Sequence, residues 1–176
     1  MFPMLYYREL LTTDRDAYGI YVQSPFPKEN RRILIGSDVS SRYTRRNRAE
    51  YRKIAGYIAR CVWQRQGNYM VFFPSYRLME DVLQVYEEEF SVDWVRCVCQ
   101  TPDMTEQERE GFLEEFQERE GTLVGFCVLG GIFSEGVDLT GESLIGAVIV
   151  GTGLPQIGSQ REILKEYYDK KNHCGF

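Results

Sequence analysis

Apolar residues along this chain recur in two different periods, and stretches of the two kinds alternate. Compact apolar runs, which are typical of strands buried in a sheet, occupy residues 69–73, 94–98, 123–129 and 145–150. Two further runs, 18–22 and 33–35, flank a Ser-Pro-Phe-Pro turn and predict two short strands. Between the later runs, apolar residues return every three or four positions, which predicts helices with one buried face.

Four helices are predicted in these intervening stretches. The first begins at Ser40 or Ser41, either of which can cap it, and runs to about Gln66. Its apolar positions are Tyr51, Ile54, Ala55, Ile58 and Val62. The apolar stripe of the second consists of Leu78, Val82, Tyr86 and Phe90. The third begins at Thr105, with Glu108 in the capping-box position, and ends near residue 120, and the fourth spans about 159–171.

Strands that alternate with helices of this length predict βαβ crossovers and a mostly parallel sheet. We therefore expect a three-layer α/β fold, organised as one domain over residues 1–176. Trp63 and Trp94 are predicted to join its core. No apolar run approaches the roughly 20 residues of a membrane span, and the first twelve residues lack the pattern of a secretion signal. A cytoplasmic protein without a membrane partner is expected.

Charge is distributed unevenly along the chain, although the net charge is only −5. Residues 28–65 carry eleven Lys and Arg against three acids, whereas residues 80–120 carry fourteen acids against three arginines. This asymmetry is compatible with one surface that faces a polyanion and another that is turned away from it. Solvated helix faces explain the acidic part equally well.

Cysteine and histidine give little indication of a metal site. The five cysteines have no C-x-x-C spacing, so we interpret them as reduced thiols that act as small core residues. His173 is the only histidine, and zinc sites built on histidine need more ligands than it can supply. The chain also lacks the phosphate-loop, dinucleotide-binding and G-x-S-x-G patterns.

The most informative loop is residues 131–138, Gly-Ile-Phe-Ser-Glu-Gly-Val-Asp, directly after the strand predicted at 123–129. Loops at the carboxyl ends of parallel strands are where α/β folds bind ligands. Glu135 and Asp138 could form an acid/base pair there, which would suit a small-molecule enzyme. Loop carboxylates also commonly serve as caps or as solvated groups, and spacing alone does not separate these readings.

Four separated segments resemble the second motor domain of DinG/XPD-type superfamily 2 DNA helicases. Residues 40–46, Ser-Ser-Arg-Tyr-Thr-Arg-Arg, are similar to that family's Ser-Ser-x-aromatic-x-x-Arg segment, and 71–76, Val-Phe-Phe-Pro-Ser-Tyr, resemble motif IV. Residues 131–138 match the G-x-x-S-E-G-[IV]-D form of motif V. Residues 147–150 with Gly-Leu-Pro at 153–155 are similar to the next strand and loop. The resemblance implies a RecA-like fold from about residue 18 onward.

The same resemblance implies a function shared with a second domain. In this family ATP and Mg²⁺ bind between two motor domains, and single-stranded DNA crosses both. We expect part of an ATP-dependent 5′-to-3′ helicase acting in a bacterial cytoplasm on nucleoid DNA. The phosphate loop, the DEAH box and motif VI do not occur in these 176 residues, so we expect the first motor domain elsewhere, with an iron–sulphur cluster in some relatives. This chain alone is expected to bind no cofactor and to be inactive.

Particular residues take roles from their places in these segments. The resemblance places Glu135, Gly136 and Asp138 at the ATP cleft, where Ser134 and Glu135 would couple it to DNA contact. The implied DNA-binding residues are Arg42, Arg46, Ser75, Tyr76 and Ser134. For Tyr76 we expect phosphate contact through the hydroxyl or base stacking through the ring. The alternative function is a non-catalytic RecA-like module that binds nucleic acid or docks a protein.

Overall fold

A computed structural model describes residues 8, 11, 12, 18–20, 22–117, 121–134, 136–153 and 158–172. The chain divides into two compact units, residues 1–35 and 36–176, and the sheet lies in the second. The single domain predicted over 1–176 stays a prediction. Within the described residues, none of the helices has both the length and the apolar character needed to cross a bilayer.

Four parallel strands form the sheet. They are β1 (Asn68–Phe73), β2 (Val95–Cys99), β3 (Thr122–Val128) and β4 (Gly146–Ile149), in the spatial order β2-β3-β1-β4. At the centre, Val71 of β1 lies opposite Phe126 of β3 on one side and Val148 of β4 on the other. The predicted parallel α/β architecture is therefore confirmed.

In the described part of the second unit, four α-helices follow or precede these strands. They are α1 (Arg48–Trp63), α2 (Tyr76–Glu89), α3 (Glu106–Glu115) and α4 (Ser159–Asn172). The first three begin at side-chain caps, because Asn47, Ser75 and Thr105 accept hydrogen bonds from the backbone N–H groups of Glu50, Leu78 and Glu108. Thr105 and Glu108 form the predicted capping box.

The two faces of the sheet are covered by different elements, because alternate strand residues point to opposite sides. Tyr69, Val71 and Phe73 of β1 pack with the buried faces of α1 and α2. Met70 of β1 packs on the other side with a cluster from α3 and its C-cap, β3 and the loop after β3, formed by Phe112, Phe116, Leu123, Cys127 and Phe133. We call this the α3-side cluster. β3 is buried along its whole length, as expected for an internal strand of a three-layer fold.

Several predicted boundaries and burials are wrong. α1 begins at Arg48 rather than at Ser40 or Ser41, because Asn47 is the cap and residues 43–45 form a separate 3₁₀ turn. The described residues of the two early runs, 18–20, 22 and 33–35, form no strand. Their apolar side chains are exposed, so the runs lack the partner strand and packed face that stabilise a β-strand.

The prediction that the two tryptophans join the core is also wrong. Trp63 and Trp94 are each 41% exposed. Trp63 lies on the last turn of α1, where one edge of the ring meets Phe90 at a centroid distance of 6.3 Å. Trp94 precedes β2, an edge strand with little cover. Large apolar side chains at the ends of elements are often only half-covered, and composition does not reveal this.

Candidate functional site

The loops that follow the strands start side by side along the carboxyl edge of the sheet. Backbone hydrogen bonds extend the strand pairing by one residue: Gln100 N–H donates to Phe126 O, Leu129 N–H to Phe73 O, and Val150 N–H to Phe72 O, each at 2.8 Å. The segments that resemble motif IV, motif V and the last strand therefore begin at one edge, as expected for a ligand-binding edge of an α/β sheet.

The segment of residues 40–46 reaches the same edge through Gly151. This glycine has φ +85°, and a Cβ built on it would lie 2.2 Å from the Ser41 hydroxyl oxygen. Only glycine allows so close an approach at that backbone angle. The described parts of all four segments thus meet at this edge, although they are far apart in sequence; Leu154 and Pro155 lie outside the described residues.

The loop after β3 is anchored by an aromatic side chain. Phe133 is 2% exposed and stacks on Phe112 of α3 at a centroid distance of 4.3 Å. Just before it, Gly131 N–H donates to Val128 O at 3.0 Å, and Ser134 donates through its hydroxyl to the same carbonyl at 3.1 Å. These contacts fasten the start of the loop to the end of the strand.

The second half of this loop presents its polar residues outward. Val137 and Leu139 pack against the α3-side cluster, and Asp138 between them is exposed. Gly136, also exposed, has φ +71°. Glu135 lies outside the described residues. The Asp138 carboxylate is exposed to solvent, whereas a catalytic acid/base pair is usually enclosed. Its position therefore favours contact with a partner over a role in such a pair.

Ser75 and Tyr76, after β1, already use most of their polar atoms. The Ser75 hydroxyl oxygen accepts from Leu78 N–H at 3.4 Å, which leaves the hydroxyl proton to donate elsewhere. The Tyr76 hydroxyl accepts from Gln100 Nε2 at 2.9 Å and donates to Thr101 O at 3.4 Å. Partial burial raises the pKa of Tyr76, and the bond from Gln100 opposes that shift.

Arg42 and Arg46 precede α1 instead of lying within it. Arg46 is half-buried: its Nε donates to Ser41 O at 3.2 Å, and its guanidinium lies 5.6 Å from the centre of the Tyr43 ring. Arg42 is exposed. Both stand close to the start of α1, where backbone N–H groups favour anions.

Much of the remaining basic stretch is neutralised by carboxylates. Arg48 binds Glu88 and Glu89, Arg52 binds Glu89, Lys53 binds Glu50, and Arg65 binds Glu142. The excess of basic residues seen in the sequence is therefore not one continuous surface for a polyanion. Arginines near residues 42–46 are better placed for that task.

Sequence reasoning missed two residues that organise this edge. Glu50 is buried, and its carboxylate accepts from Ser40 N–H at 2.9 Å and from Lys53 Nζ at 3.2 Å. These bonds, first that from Ser40, hold the pKa of Glu50 below its ordinary value. The pattern Asn47-x-x-Glu50 resembles a capping box and could have drawn attention to it. Gln100, the second, directly follows the apolar run of β2.

The described cysteines are free thiols, as predicted, but only Cys127 is fully buried in the core, whereas Cys61, Cys97 and Cys99 are half-buried; Cys174 lies outside the described residues. Burial raises the pKa of Cys97 and of Cys99 to about 11 and that of Cys127 to about 12, so all three are protonated near neutral pH. Among the described residues, no group of three or more His, Cys, Asp or Glu is placed to hold a metal ion.

Comparisons with known proteins agree with this geometry. The model of the family described as helicase C-terminal domain matches residues 58–176. A probable ATP-dependent helicase of Methanocaldococcus jannaschii is 28% identical over 155 residues, which are 85% of this chain and 23% of that protein. The chain therefore spans about a quarter of the length of this relative.

Two solved structures share the fold. An XPD structure in the apo form superposes with a TM-score of 0.56 at 23% identity, over 73% of this chain and 25% of the other. An XPD helicase structure gives a TM-score of 0.57 at 24% identity, over 75% of this chain and 22% of the other. At this level of identity the likeness establishes the fold, which confirms the predicted RecA-like class.

Proposed function

We propose that this chain, which belongs to the helicase C-terminal domain family, acts as the second motor domain of an ATP-dependent 5′-to-3′ DNA helicase. The observation that carries the proposal is the convergence of four helicase-like segments at one edge of the sheet. Ser41 meets Gly151, the loop after β3 starts beside Phe73, and the loop after β4 starts beside Phe72.

On the ATP side, the outward part of the loop after β3 forms one wall of a cleft that a first motor domain completes. Asp138 and Gly136 face the nucleotide. Glu135 belongs to the same wall through its place in the sequence, between Ser134 and Gly136. Phosphoryl transfer needs Mg²⁺, a phosphate cradle and usually an arginine that stabilises the transition state. These 176 residues hold no phosphate loop, so ATP turnover requires the rest of the protein, and this chain alone is inactive.

On the DNA side, Arg42, Arg46 and Ser75 have donors left for phosphate oxygens. Ser134 differs, because its hydroxyl proton is given to Val128 O and a phosphate offers only acceptors. Contact between Ser134 and a phosphate therefore requires that hydroxyl to leave Val128. Ser134 is accordingly the DNA-binding residue whose state depends most on the conformation of the loop.

The test is ATP hydrolysis by the full-length protein, with and without single-stranded oligo-dT. We expect turnover that depends on Mg²⁺ and is stimulated by the oligonucleotide. Partial duplexes with a 5′ or a 3′ single-stranded tail then give the direction, and we expect strand separation from the 5′ tail. Absence of ATP hydrolysis together with retained DNA binding would favour the non-catalytic module instead.

A further inference from the structure

A buried amide connects three strand ends at the carboxyl edge of the sheet. Gln100 directly follows β2 and is 2% exposed. Its backbone N–H donates to Phe126 O of β3 at 2.8 Å, which places its side chain between the loop after β1 and the loop after β3. Buried glutamines are uncommon, and their polar atoms need partners.

The partners determine which way the amide points. Val128 N–H donates to Gln100 Oε1 at 3.0 Å, and a backbone N–H can only donate. Nε2 therefore faces the other way and donates to the Tyr76 hydroxyl at 2.9 Å. The same hydroxyl then gives its proton to Thr101 O, so its donor and an acceptor position are both engaged inside the protein.

The loop after β3 closes directly onto this amide. A Cβ built on Gly131 would lie 2.8 Å from Gln100 Nε2 and 3.0 Å from Val128 O. The carbonyl of Val128 accepts from Gly131 N–H and from the Ser134 hydroxyl, while its N–H binds Gln100. A shift of residues 131–134 would therefore change the hydrogen bonds of Val128 and, through the Val128 N–H, the position of the Gln100 amide.

We propose that Gln100 is a positioning residue that connects the loop after β3 to Tyr76, and that Tyr76 meets single-stranded DNA through its ring and not its hydroxyl. The inference rests on the proposed function and adds to it a defined route between the nucleotide side and the DNA side. Tyr76 is half-buried at the start of α2 and packs partly against the core, so only part of its side chain is left for a base while the hydroxyl is held. Stacking of a base on an aromatic ring raises affinity by about 5- to 150-fold.

The experiment uses the full-length helicase and measures the Kd for fluorescein-labelled oligo-dT with and without a non-hydrolysable ATP analogue. Tyr76→Leu removes the ring, and we expect affinity to fall about tenfold. Tyr76→Phe keeps the ring, so its loss should be clearly smaller. Equal losses in the two variants would overturn the ring contact and assign DNA binding to the hydroxyl.

The connection between Gln100 and Tyr76 is tested by the ratio of the Kd for oligo-dT without the ATP analogue to the Kd with it. Gln100→Met has a similar volume but no polar atoms, and it should reduce the ratio of the two Kd values toward one. Tyr76→Phe removes the partner of the same hydrogen bond, between Gln100 Nε2 and the Tyr76 hydroxyl, and should reduce the Kd ratio by the same amount. The double variant should show no further reduction. A double variant that loses clearly more than either single one would show that Gln100 acts by a route other than Tyr76.

Two further variants separate connection from folding. Gln100→Glu can accept from Val128 N–H and, when the Tyr76 hydroxyl turns its proton from Thr101 O to the new carboxylate, from that hydroxyl as well, so it should fold and keep the nucleotide dependence. Gln84→Met removes an exposed glutamine that binds Glu88 on α2 and should leave both Kd values as in the wild type. If Gln100→Met does not fold, Tyr76→Phe still decides, because an unchanged Kd ratio there overturns the connection.

Failure of this inference can be told apart from failure of the proposed function. If the wild-type protein neither binds oligo-dT nor hydrolyses ATP, the motor function is wrong and no variant needs comparing. If the wild type does both and the Kd ratio is the same in every variant, the motor function stands and the role of Gln100 is wrong.

Discussion

The loops after β1 and β3 begin side by side but are built in opposite ways. The loop after β1 is two residues long, Pro74 and Ser75, and polar atoms hold it and the first residue of α2 in place: the Ser75 oxygen accepts from Leu78 N–H, and the Tyr76 hydroxyl accepts from Gln100 Nε2. The longer loop after β3 is held by apolar side chains, above all Phe133. Its carboxylate at Asp138 stays exposed.

The difference shows how the carboxyl edge of the sheet can both stabilise the fold and leave groups free to bind a ligand. Where polar side chains make the structural bonds, few of their atoms remain for a ligand. Where apolar side chains anchor the chain, polar side chains are left to meet a partner. Asp138 is accordingly a stronger candidate for nucleotide contact than its spacing from Glu135 suggested.

The largest effect is expected from removing the apolar anchor. Phe133→Ala deletes a buried ring that stacks on Phe112, and such substitutions cost about 3–5 kcal/mol of unfolding free energy. Urea denaturation measures this loss. Phe116→Ala, in the same α3-side cluster but on the helix side, is the matched control.

Both variants should be destabilised, but under conditions where both remain folded only Phe133→Ala should lower ATP turnover of the full-length protein. Equal turnover in the two folded variants would mean that Phe133 supports the core without orienting the loop.

The next largest effect is expected at the exposed carboxylate. Asp138→Ala should reduce ATP turnover of the full-length protein on the order of 100-fold, the scale of losing one group that positions the reacting atoms. Unfolding temperature should be unchanged, because the side chain is exposed. Asp103→Ala removes another exposed aspartate, in the loop after β2, and should leave turnover as it was. Wild-type turnover in Asp138→Ala would refute its place at the ATP cleft.

A smaller effect separates the two tasks of Ser75. Ser75→Ala loses the cap of α2 and should cost about 1 kcal/mol, whereas Ser75→Asp keeps a capping oxygen and should keep the stability. If Ser75 also faces phosphate, the added charge of Ser75→Asp weakens oligo-dT binding.

Thr105→Ala is the control, since it removes the cap of α3 at a similar cost and should leave oligo-dT affinity unchanged. Wild-type affinity in Ser75→Asp would restrict Ser75 to its capping role.

The smallest effect distinguishes an arginine that binds a backbone carbonyl, Arg46, from one that binds carboxylates, Arg48. Arg46→Ala should weaken oligo-dT binding and reduce the slope of log K against log salt by about 0.7, the value for one phosphate contact on a single strand. Arg48→Ala, whose side chain binds Glu88 and Glu89, should leave the slope unchanged. Identical slopes in Arg46→Ala and the wild type would make Arg46 a structural residue.

Sequence alone identified the four strands of the sheet and the helices between them, because strand and helix periods are local properties of the chain. The capping box at Thr105 and Glu108 was predicted correctly for the same reason: its hydrogen bonds lie within four residues. Prediction failed where partners are distant. The runs at 18–22 and 33–35 have strand composition but no strand beside them in the described residues, and Trp63 and Trp94 lie at element ends that nothing fully covers.

The candidate site divides in the same way. The sequence by itself determined which residue types stand at the strand ends, including Ser75, Ser134 and Asp138, because short polar residues and glycines mark those turns. Only the tertiary structure decided which polar atoms at the strand ends are still free to bind a ligand. Gln100 is the example: its partners, Tyr76 and Val128, are 24 and 28 residues away in the chain. Hydrogen bonds between strand ends depend on sheet order, and sheet order is a property of the whole fold.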